Sequence, residues 1–89
     1  MIKEHYVYIL KCVDGYLYTG YTIDLEKRLV SHNAGKASKC TRGRLPVSIV
    51  YVENFSQKSD ALRREYAIKQ MTRTQKLLLI EEKKREEDD

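Results

Sequence analysis

The chain has 89 residues, 17 Lys plus Arg against 13 Asp plus Glu, and a net charge of +4. That length builds one domain and leaves no space for a large cofactor cavity. Two Cys without a C-x-x-C pair exclude a disulfide scaffold or a cysteine zinc site, and the longest apolar runs, 6–10 (YVYIL) and 77–80 (LLLI), are far too short to span a bilayer. Lys11 closes the first apolar run after five residues, so the start is no secretory signal, and a cytoplasmic protein without a membrane partner is the expectation.

Residues 5–12 and 16–22 are rich in Tyr, Val, Ile and Thr and flank Asp14-Gly15, which predicts a β-hairpin. A two-residue turn would pair positions summing to 29 and put Tyr8 and Tyr18 on opposite sheet faces. A three-residue loop with Gly15 in the left-handed region makes the sum 28, so that Tyr8 faces Gly20, Tyr18 faces Leu10 and both hydroxyls share a face. Gly20 then leaves open space beside Tyr8.

Residues 24–33 read as an amphipathic helix, capped at Thr22 or Asp24 and ending around Asn33-Ala34-Gly35. Leu25 and Leu29 lie on one face, and Asp24, Arg28 and His32 on another. A basic loop follows over 36–45, and Pro46 opens a strand over 47–55. Ser56 or Ser59 caps a helix over 59–71, and Thr72-x-x-Gln75 is a capping box for a last helix through 77–80. The order ββαβαα gives an α/β domain over residues 1–80, a small three-stranded antiparallel sheet flanked by helices. Residues 81–89 (EEKKREEDD) are expected to be a frayed, charged tail.

The charge is unevenly placed. The tail carries −3, so residues 1–80 carry +7. No acid stands between Glu26 and Glu53, where Lys27, Arg28, Lys36, Lys39, Arg42 and Arg44 supply six bases. A one-signed region beside Gly35 and Gly43 suits a polyanion, whose phosphates backbone amides can approach closely. The competing reading is a solvated basic loop.

Several side chains stand out. On helix 59–71, Glu65 shares the stripe of Ala61, Leu62 and Ile68, where a carboxylate needs a cation, a donor or a metal. The alternative is a core-edge ion pair with Arg28 or Arg64. Arg28 and His32, one turn apart, offer two donors that suit a phosphate, or else a surface pair. Asn33 contacts phosphate or ends the helix, with the cap favoured. Tyr6, Tyr8, Tyr16, Tyr18 and Tyr21 crowd the hairpin, where packing is the default role. If the run 77–80 is exposed, a weak homodimer or a protein partner follows.

Taken together these residues resemble the GIY-YIG nuclease superfamily. Tyr6-Val7-Tyr8 looks like its first motif and Tyr18-Thr19-Gly20 like its second, with Arg28 ten residues beyond Tyr18 and Glu65 at the metal-binding position. Segment 32–46 (HNAGKASKCTRGRLP) resembles the small stand-alone bacterial members and the nuclease domain of structure-specific repair endonucleases. The resemblance covers roughly residues 5–80. Tyr6 stands where Gly is usual, and Thr19 where Ile or Val is usual.

The resemblance implies the GIY-YIG fold and an endonuclease that hydrolyses nucleic-acid phosphodiesters, with DNA ahead of RNA and repair or recombination as the setting. It implies one divalent ion, Mg²⁺ or Mn²⁺, on Glu65. Tyr8 takes the proton of the attacking water, with His32 as the alternative base. Arg28 holds the scissile phosphate, and Tyr18 and His32 orient water or phosphate. Lys36, Lys39, Arg42 and Arg44 track the nucleic-acid backbone. Two other readings stand beside it: a non-catalytic nucleic-acid-binding module of the same fold, and a structural or partner-binding domain with a Glu65–Arg28 ion pair.

Overall fold

The computed structural model describes residues 4–88. The chain begins with a hairpin of β1 (His5–Cys12) and β2 (Leu17–Thr22). Cys12 N donates to Tyr16 O at 2.9 Å and closes a loop of three residues, Val13, Asp14 and Gly15, with Gly15 at φ +89°, where a side chain would be strained. Asp14 Oδ1 accepts from Tyr16 N at 3.1 Å, and Gly15 N donates to Cys12 O at 2.9 Å. The register pairs Tyr8 with Gly20 and Leu10 with Tyr18, as the bulged-turn argument expects.

Helix α1 (Leu25–Asn33) follows, with Asp24 as its N-cap accepting from Lys27 N, and ends on Ala34 with Gly35 at φ +75°. A one-turn helix α2 (Lys39–Arg42) occupies the middle of the expected loop. Ser38 caps it by accepting from Cys40 N at 3.1 Å. Strand β3 (Val47–Phe55) then pairs antiparallel with β1, so the sheet order is β2-β1-β3.

Central β1 is buried on both faces. Val7 and Ile9 face one side, where Ala61 and Ile68 of α3 (Lys58–Lys69) close over them. Tyr8, Leu10 and Cys12 face the other, under Leu25 and Leu29 of α1. The β1–β3 register slips by one residue between Ile9 and Leu10. Tyr51 therefore joins the α3 side while Ile49 joins the α1 side, although both are odd-numbered.

Two features differ from the sequence expectation. Helix α3 is capped at Gln57 with no side-chain hydrogen bond, so neither Ser56 nor Ser59 serves. The capping box at Thr72 and Gln75 forms, with reciprocal bonds of 2.8 and 3.2 Å. The helix it starts, α4 (Arg73–Asp88), continues through the residues expected to fray. Glu, Lys and Arg are good helix formers, Glu81 pairs with Arg85 at 3.7 Å, and Lys83 reaches the Val52 carbonyl and lies 5.0 Å from the Tyr51 ring centre. Within the run 77–80, Leu77 and Leu78 are exposed, while Leu79 and Ile80 pack on the α3-side core. No helix among the described residues is long and apolar enough to cross a membrane.

Candidate active site

The hairpin register puts Tyr8 opposite a residue without a side chain. A Cβ on Gly20 would lie 2.4 Å from the Tyr8 hydroxyl oxygen and 2.5 Å from Cζ, so the phenol ring lies flat over the Gly20 backbone. Tyr18, two residues before Gly20 on the same face, packs on it with ring centres 6.5 Å apart. Helix α1 supplies the third ring. His32 meets Tyr8 edge-on at 5.9 Å and Tyr18 at 5.2 Å.

These groups are joined by hydrogen bonds. Tyr8 Oη and His32 Nε2 are 3.0 Å apart, and His32 Nδ1 lies 2.9 Å from Thr41 Oγ1 on α2. Tyr8 and His32 are each only 1% exposed, and Thr41 is fully buried. The side chain of His32 therefore does not join Arg28 as a second phosphate donor, as the sequence reading expected. It turns inward and both ring nitrogens are engaged.

Arg28 lines the same recess as Tyr8, Leu10, Leu25, Leu29, His32 and Ile49. It also borders an open groove of about 510 Å³ with Lys27, Ser31 and Lys36. Arg28 is exposed and Tyr18 half-buried.

Burial, with help from Tyr18, pushes the Tyr8 phenol well above its ordinary value of 10. The Arg28 charge opposes this and the Glu65 charge adds to it. Glu65 is not among the residues lining the Tyr8–Arg28 recess or the Arg28 groove; it stands on α3, which packs on the other face of the sheet. Burial, then Arg28, lowers His32 below 6.5, so its ring is neutral at pH 7.

Glu65 lies on α3 between the buried Ala61 and Ile68, with its side chain 17% exposed. Its partner is Lys69, at 3.2 Å one turn onward. Neither arginine weighed from the sequence holds it. Arg64 instead clamps Glu53 of β3, with Nε 3.0 Å from both carboxylate oxygens, and Tyr51 donates to the same carboxylate. The Glu65–Arg28 ion pair of the structural-domain reading is therefore replaced by Glu65–Lys69.

Among the described residues no group of three or more His, Cys, Asp or Glu gathers for a metal ion. Glu65 alone is a donor set of hard oxygens with one displaceable amine partner, which fits Mg²⁺ or Mn²⁺ held mostly by water and phosphate.

The basic residues divide. Lys36 borders the Arg28 groove, and Lys39 and Arg42 stand exposed on α2. Arg44 is taken up elsewhere: it pairs with Asp14 at 3.0 Å, stacks 4.4 Å over Tyr16, and its carbonyl accepts from Val13 N. It fastens the loop to the hairpin turn. Asn33 neither caps α1 nor stands free for phosphate. Its amide bonds both backbone groups of Val47, at 2.8 and 3.2 Å, tying α1 to β3.

The two unusual motif residues lie off the ring cluster. The Tyr6 hydroxyl donates to Glu4 at 2.9 Å. Thr19 pairs with Ile9 on the α3 side, and its buried hydroxyl has no hydrogen-bond partner among the described residues. Thr41 is the site residue that sequence reasoning missed. It sits in a four-residue helix too short to show a periodicity.

The model of the GIY-YIG catalytic domain matches residues 4–78. A UPF0213 protein of Staphylococcus haemolyticus is 59% identical over 82 residues, covering 92% of this chain and all of the relative. One from Halobacterium salinarum is 54% identical over 76 residues, covering 85% of this chain and 99% of the relative. The solution structure of a UPF0213 protein from Bacillus halodurans is similar at TM-score 0.58 and 46% identity, covering 88% of this chain and 83% of that one. A solution structure from E. faecalis gives TM-score 0.62 and 42% identity over 89% of this chain and 84% of that one.

Proposed function

The chain belongs to the GIY-YIG family, and on that footing we propose that it is a divalent-metal-dependent endonuclease acting on DNA, on branched, nicked or single-stranded forms met in repair or recombination. One observation carries the reading: Tyr8 and His32, bonded to each other, share a recess with Arg28, whose other side borders a basic groove.

The groove binds the backbone. Lys27 and Lys36 in the groove, with Lys39 and Arg42 exposed on α2, neutralise phosphates with little sequence choice, so affinity falls steeply with salt. Arg28 grips the scissile phosphate, since a guanidinium offers two parallel donors to its oxygens. Reaction requires the Tyr8 hydroxyl, on a side chain 1% exposed at rest, to open to water as Arg28 takes the phosphate.

Tyr8 then takes the proton of the attacking water as its own proton passes to His32 Nε2. Both ring nitrogens of His32 are engaged, Nε2 with Tyr8 and Nδ1 with Thr41, so it serves as a base only through Tyr8. Glu65 would hold Mg²⁺ or Mn²⁺, a cation that supplies charge neutralisation as the P–O bond breaks. A lone carboxylate makes metal affinity weak in the absence of nucleic acid.

The closed recess favours one competing reading, a nucleic-acid-binding module that does not cut. The test is incubation with linear, branched and single-stranded DNA and with RNA, with and without Mg²⁺ or Mn²⁺, beside Glu65→Ala and Arg28→Ala. Metal-dependent cutting of DNA that both substitutions abolish supports the nuclease. Salt-sensitive binding without cutting supports the module, and cutting of RNA alone overturns the choice of substrate.

A further inference from the structure

We propose that Thr41 is a positioning residue that fixes His32 as its Nδ1–H tautomer and so reserves Nε2 to receive the Tyr8 proton. Among the described residues the Tyr8 hydroxyl, on a side chain only 1% exposed, has one hydrogen-bond partner, His32 Nε2 at 3.0 Å, and a buried phenol proton needs a lone pair there. The N–H of the ring then faces Thr41 Oγ1, which accepts it across 2.9 Å with its own proton turned towards the Ser38 carbonyl 3.4 Å away.

The neutral ring carries one N–H, and this contact places it on Nδ1. Nε2 then holds a lone pair, 3.0 Å from Tyr8 Oη, and the phenol is the donor. The opposite tautomer would break two links at once. It would turn the Thr41 proton away from Ser38, and it would leave the buried Tyr8 proton facing an N–H.

The fold makes the arrangement stiff. Thr41 is fully buried, and α2 is anchored at its start by the Ser38 side chain on Cys40 N and just beyond its end by Arg44 on Asp14. The charged group facing His32 from its own helix is Arg28, which with burial keeps the resting ring neutral, with a single N–H. The short helix inside the basic segment therefore orients the base behind Tyr8, in addition to carrying Lys39 and Arg42. The catalytic consequence rests on the nuclease reading; the tautomer does not.

The test is a long-range ¹H–¹⁵N correlation spectrum of the histidine rings above pH 7. The chain holds two histidines, and a His5→Gln variant identifies the other ring. The unaltered protein is expected to show His32 Nδ1 protonated and Nε2 bare. Thr41→Val, which keeps the shape and loses the hydroxyl, should shift the ring towards the Nε2–H form, and Thr41→Ser should restore it. Protonated Nε2 in the unaltered protein overturns the proposal, as does an unchanged tautomer in Thr41→Val. If Thr41→Val fails to fold, Thr41→Ala takes its place, with the same shift expected and an unchanged tautomer overturning the proposal.

Cleavage is read in parallel. Thr41→Val should lower kcat roughly 10- to 100-fold with KM unchanged, and Thr41→Ser should recover it. An unaltered protein that cuts nothing sinks the nuclease reading and leaves the tautomer result standing.

Discussion

Tyr8 lies across Gly20 so closely that the hydroxyl oxygen would be 2.4 Å from a Cβ at that position. The two residues face each other on neighbouring strands. The glycine of the second motif is thus the floor on which the tyrosine of the first is laid. Gly20→Ala must push the phenol off its seat and break its bond to His32. The expected cost is about 1–3 kcal/mol of stability, read as a lower urea midpoint, together with loss of cleavage. An alanine variant of unchanged midpoint and unchanged Tyr8 and His32 signals would contradict this packing.

His32 makes acid stability measurable. Its folded pKa is depressed below 6.5 by burial and by Arg28. The unfolded chain therefore takes up a proton near pH 6.5 that the folded chain refuses. Stability from this group is present above that value and is lost as the pH falls towards the folded pKa. Tm should drop on acidification from pH 7, and His32→Gln should flatten that slope.

The alkaline side has the opposite sign. Burial and the Glu53 carboxylate push Tyr51 up to about 12, and Tyr8 is also raised. Both stabilise the fold fully below pH 10 and lose that contribution as the pH rises further through their folded values. Ultraviolet titration of tyrosinate should show three of the seven tyrosines titrating late, the third being Tyr6 through its bond to Glu4.

Asn33→Ala removes both bonds to the Val47 backbone. Two polar groups at the start of β3 lose their partner, at a cost of about 1–3 kcal/mol. Chemical denaturation checks this, and DNA affinity should stay level because Asn33 offers nothing to phosphate.

Much of this arrangement is legible in the sequence. Asp14-Gly15 and the Tyr8–Gly20 pairing set the hairpin, Pro46 opens β3 at the expected residue, and the Thr72–Gln75 box starts α4. These are local signals, read within a few residues. His32 shows how a local signal was misassigned. It lies three residues after Leu29 and seven after Leu25, on the apolar stripe itself, so it faces the core while Arg28 stays out. Arg44 and Glu65 are different. Their partners are Asp14, thirty residues away, and Lys69, one among several bases within reach, and pattern alone selects neither.

The division among the basic residues separates two effects. Arg44→Ala should lower stability slightly and leave the salt dependence of DNA binding intact, since its charge is engaged with Asp14 and Tyr16. Lys36→Ala or Lys39→Ala should leave stability alone and reduce the slope of log affinity against log salt by about one each. Fluorescence anisotropy at several salt concentrations distinguishes them.

The Tyr8 hydroxyl stands at the centre of the proposed chemistry. Tyr8→Phe keeps the ring over Gly20 and removes only the oxygen that meets His32. Single-turnover cleavage of branched DNA in Mg²⁺ is the direct measurement. The variant should bind with unchanged affinity and cut at least about 100-fold more slowly than the unaltered protein. A Tyr8→Phe protein that cuts at the unaltered rate would contradict the central claim.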